Sequence, residues 1–89
     1  MKYLLVKELK NGRYLINILC EKSYEALKAA GTLEGVTVFK SELSVEDIAE
    51  TGIIHLNDLG HISEFLVGNE EKIAKVQGPD ISYKDERSI

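Results

Sequence analysis

Eighty-nine residues, 44% of them hydrophobic and 29% charged, have room for one core and argue against a disordered, collagenous or coiled-coil chain. The formal net charge is −4, with eleven Lys and Arg scattered among fifteen Asp and Glu. A nucleic-acid binder exchanges counterions with phosphate through a basic face, which this distribution disfavours.

Taken in chain order, "KYLLVKEL" and "RYLINILC" are apolar and rich in strand formers, with "KNGR" between them. Asn11-Gly12 suits a type I′ turn, which predicts an antiparallel hairpin over residues 2–9 and 13–20. In the second strand Tyr14, Ile16 and Ile18 face one way and Leu15, Asn17 and Leu19 the other, a pattern expected of a central strand covered on two sides. Tyr3 and Tyr14 are placed to pair across the hairpin. "EKSYEALKAAG" predicts a helix capped by Ser23, with Tyr24, Leu27 and Ala30 on one face and Gly31 as the stop. "GVTVFK" predicts a strand at 36–40. Ser44, followed three residues later by Asp47, predicts the cap of a short helix that buries Val45, Ile48 and Ala49 and ends at Gly52.

"IIHL" predicts a strand at 53–56. Asn57 then caps a helix over 58–67 with Leu59, Ile62, Phe65 and Leu66 as its apolar stripe, closed by Gly68-Asn69. A strand at 72–77 and a turn at Gly78-Pro79-Asp80 follow, and "ISYKDERSI" supplies a short edge segment that frays. The order ββαβαβαβ predicts a single α/β or α+β domain over 1–83 with a tail at 84–89. Its sheet is expected to be mixed and four- to five-stranded, opened by the hairpin and packed with three short helices. The expected core is Leu4, Val6, Ile16, Ile18, Leu27, Val36, Val38, Ile48, Ile54, Leu56, Leu59, Ile62 and Phe65.

Cys20 is the single cysteine, so an internal disulfide and a multi-cysteine zinc site are excluded. The apolar runs are too short to span a bilayer. "MKYLLVKELK" turns to charge with no cleavage site after it, so the expectation is no signal peptide, no membrane partner and a cytoplasmic location. "HLNDLGHISEF" holds both histidines, with Asp58 and Glu64 each three positions from His61. His55 at a strand end and His61 one turn into the next helix do not converge by design. The expectation is therefore no metal, no cofactor and no catalytic set. The glycines form no phosphate loop and the serines no nucleophile elbow.

The strongest site reading comes from the rim of the sheet. In open α/β sheets ligands gather beyond the C-terminal strand ends, where helix N-termini point. That rim would hold Cys20, Ser23, Ser41, His55 and Asn57 as ligand-binding residues. "YLINILCEKSYEALKAAG", "VTVFKSELS" and "TGIIHLNDLGHISEFLVG" follow an order of elements that resembles the small sulfur-relay subunits of the DsrH/TusB group. Members of that group with a working cysteine carry it after a strand, and the resemblance makes Cys20 the matching position. The chain departs from it at "LKNGR", which leaves no room for the long helix after the first strand, and in lacking the family's aromatic ending.

The leading expectation for function is a small non-enzymatic protein-binding or regulatory module, a subunit or inhibitor of a larger protein. A free sheet edge would be open to a partner or to a second copy as a homodimer. The alternatives are small-ligand or sulfur-relay chemistry at Cys20, and nucleic-acid binding through the segment that carries Lys72, Lys75 and Lys84.

Overall fold

A computed structural model describes residues 1–55 and 58–81. The chain opens with β1 (Lys2–Glu8) and β2 (Tyr14–Cys20), paired antiparallel with Leu5 opposite Asn17. The connection is not the predicted type I′ turn, which needs positive φ at both central residues. Gly12 alone has it, at 81°. Leu9 N–H donates to the Arg13 carbonyl at 2.7 Å and Gly12 N–H to the Leu9 carbonyl at 3.1 Å. That closes a three-residue loop with a left-handed glycine. The Asn11 side-chain oxygen accepts the Arg13 N–H at 3.0 Å, so the asparagine serves the turn through its side chain.

The Leu9–Arg13 bond sets the alternation along the hairpin. Lys7, Leu5 and Tyr3 exchange hydrogen bonds with Leu15, Asn17 and Leu19, while the peptide groups of Tyr14, Ile16, Ile18 and Cys20 point away from β1.

Helix α1 (Glu21–Ala29) follows, then β3 (Thr37–Ser41), α2 (Val45–Glu50), α3 (Leu59–Gly68) and β4 (Ile73–Gln77). The sheet order is β2-β1-β3-β4 and every pairing is antiparallel. Among the described residues the fold is thus α+β with a four-stranded sheet, opened by the expected hairpin and carrying three helices.

Two sequence expectations change. Residues 53–55 form a turn rather than a strand, which removes the element that would have made the sheet mixed. Thr51 is responsible: its hydroxyl donates to the Ile48 carbonyl at 2.6 Å and accepts the Ile53 N–H at 3.2 Å. Gly52, at φ 71°, then closes onto His55 N–H at 2.9 Å. Ile53 is buried from this turn without belonging to the sheet. Secondly, the strand covered on both faces is β1, not β2. Tyr3, Leu4, Leu5 and Val6 are all buried, whereas β2 is an edge strand that leaves Leu15 47% exposed. A strand buried on both sides reads as a continuous apolar run, and "YLLV" is that run.

The two faces carry separate cores. Tyr3 and Leu5 meet Tyr24 of α1 together with Leu33, Val36 and Val38. Tyr3 stacks on Tyr24 with centroids 4.2 Å apart, so its aromatic partner is on the helix and not at Tyr14. Leu4, Val6, Tyr14, Ile16 and Phe39 meet Ile48 of α2 and Ile62, Phe65 and Leu66 of α3. Helices on both faces of one sheet make three layers. Of the expected core, Ile18, Leu27, Ile54 and Leu59 are only partly buried, and Leu56 lies outside the described residues. In α2 only Ile48 is buried; Val45 is 41% exposed.

Helix starts follow local chemistry. Ser44 accepts the Asp47 N–H at 3.1 Å, as expected. α3 is capped by Asp58, which accepts the His61 N–H at 3.0 Å; Asn57, the expected cap, lies outside the described residues. α1 begins at Glu21 with Cys20 in the cap position, so Ser23 sits inside the first turn.

Ser63 on α3 is 2% exposed, and its hydroxyl has no hydrogen-bond partner among the described residues. A buried hydroxyl without a partner costs its desolvation. Ser63→Ala is therefore expected to leave the urea midpoint unchanged or raise it, by about 0–1 kcal/mol of stability.

Candidate functional site

β1, β2 and β3 bring one row of residues to the same end of the sheet. Lys2 pairs with Cys20 on one side and with Ser41 on the other. Two inter-strand spacings, about 10 Å, separate the Cys20 and Ser41 backbones, with Lys2 between them. β2 and β3 both run antiparallel to β1, so their C-terminal ends coincide even though no neighbouring strands are parallel. That retains part of the expected rim on a different geometric basis.

Within the rim, the closest association is Cys20 with Ser23. The Cys20 Sγ and Ser23 Oγ are 3.3 Å apart, and both residues are exposed. The adjacency follows from the helix starting one residue after the cysteine, which puts the cap and the third helical residue on one side. The Ser23 hydroxyl holds the Cys20 thiol below its ordinary pKa. The Ser23 and Lys22 backbone N–H groups and the Lys2 charge act in the same direction, and partial desolvation opposes them. Lys2 is the residue that sequence reasoning missed here; only the strand register brings it beside the thiol.

Ser41 is fully buried, and its hydroxyl accepts the Leu43 N–H at 3.0 Å, shaping the turn into α2. His55 is exposed in the turn after α2. Asn57 lies outside the described residues. Of the five expected ligand-binding residues, then, the fold joins Cys20 to Ser23 and sets Ser41 in the same row, but as a buried turn-former.

The histidine segment is a helix start. Asp58 receives the His61 backbone N–H on Oδ1 and faces the His61 Nδ1 with Oδ2. These two bonds to His61, the backbone one first, hold the Asp58 carboxyl below the ordinary aspartate range. A depressed carboxyl stabilises the fold above its unfolded pKa, and that contribution is lost as pH falls through the folded value. Asp58→Asn keeps the cap oxygen and removes the charge. The gap in urea midpoint between wild type and Asp58→Asn is expected at neutral pH, and it closes as pH is lowered below the usual aspartate range.

His61 and Glu64 also border an open depression of about 300 Å³ with Thr51, Ile53, Phe65 and Asn69. Among the described residues no group of three or more His, Cys, Asp or Glu is arranged to hold a metal ion. No helix among them is long and apolar enough to cross a membrane. Of the lysines in the C-terminal third, Lys75 is paired with Asp80 and Lys84 lies outside the described residues.

Comparison of the chain with protein-family models, with curated proteins and with solved structures finds no match. The element order that resembles the sulfur-relay subunits also loses its last strand, since residues 53–55 are a turn.

The two sheet edges differ. β4 has a register irregularity against β3 between Val38 and Phe39, carries Lys75, and is followed by Pro79. Bulges, lysines and prolines are the devices that blunt a sheet edge. β2 has none of them. Its seven residues, "YLINILC", carry no charge, and its register with β1 is regular from Lys2↔Cys20 to Glu8↔Tyr14.

Proposed function

We propose that this chain is a small non-enzymatic protein-binding module, a subunit or regulator whose working surface is the outer edge of β2. The observation that carries the reading is the unblunted edge strand, with the Ile16 and Ile18 peptide groups directed outward and Leu15 half exposed beside them. Addition of a strand to such an edge derives affinity from main-chain hydrogen bonds and specificity from alternate side chains. Asn17→Lys tests it. The residue is exposed, so the fold tolerates the change, while a lysine on the edge disfavours strand addition. A partner protein retained by the wild-type chain and released by Asn17→Lys, with circular dichroism unaltered, supports the reading. Equal retention by both chains refutes it.

A second reading rests on the Cys20–Ser23 pair: thiol chemistry toward a small ligand or carried sulfur at the end of β2. It requires Cys20 to be alkylated faster near neutral pH than an ordinary thiol, and Ser23→Ala to slow it. Alkylation at the rate of a free cysteine in both proteins removes this reading.

A further inference from the structure

We draw no further inference here: the strongest candidate, the uncharged outer edge of β2, belongs to the working surface already proposed, and nothing in the structure shows what covers it.

Discussion

Gly78→Ala is expected to be among the most damaging single-methyl additions in this chain, costing about 2–4 kcal/mol of a total of about 5–15. Two effects combine. The residue has φ +95°, which L side chains rarely adopt. A Cβ there would also lie 2.1 Å from the Val36 carbonyl oxygen and 2.8 Å from the Thr37 Cα, both backbone atoms that no rotamer change can move. Relief would have to come from separating the end of β4 from the start of β3. That segment carries the Thr37 hydroxyl bond to the Pro79 carbonyl at 2.6 Å and the Tyr24 hydroxyl bond to Gln77 at 2.7 Å, which ties α1 to the far edge of the sheet. Gly12→Ala is the comparison: φ is +81°, but nothing lies within 4 Å of the added carbon, so only the backbone strain remains, about 1 kcal/mol. Urea unfolding of the two variants separates steric conflict from conformational strain. Equal midpoints would mean that the Val36 contact yields without cost.

The same segment shows what the sequence could and could not disclose. Gly78-Pro79-Asp80 is legible as a turn, because glycine and proline act through their own backbones. That the turn presses against Val36 is a tertiary fact with no local signature. The hairpin, the Ser44 cap and the apolar stripe of α3 were legible for the same reason as the turn, since each is decided within a few residues. "IIHL" failed because Thr51 and Gly52 supply local bonds that compete with strand pairing, and two isoleucines can be buried from a turn as well as from a strand. The central place expected of β2 failed because β-branched and aromatic content reports burial and not neighbours. The alternating apolar faces of β2 suggested a central strand, but β2 ends the described sheet and leaves Leu15 47% exposed. For the rim, Cys20 and Ser23 were found because a strand–helix junction is visible in sequence. Lys2 was not, because its place beside the thiol depends on a pairing eighteen residues away.

Leu4→Ala should be of comparable severity, for a reason that belongs to packing. Leu4 is 2% exposed at the middle of β1, flanked by Ile18 on β2 and Phe39 on β3 and covered by the core that α2 and α3 complete. Its neighbours are held from three directions by the sheet ladder and cannot collapse into the space left, so the cavity term adds to the lost transfer energy, for about 2–5 kcal/mol in all. Leu15→Ala removes the same atoms from β2, where the side chain is 47% exposed, and is expected to cost less than about 1 kcal/mol in dilute solution. Urea unfolding of the two variants measures the difference between a site closed on both faces of the sheet and one on its edge strand. Equal midpoints would mean that the neighbours of Leu4 do close over the space it leaves.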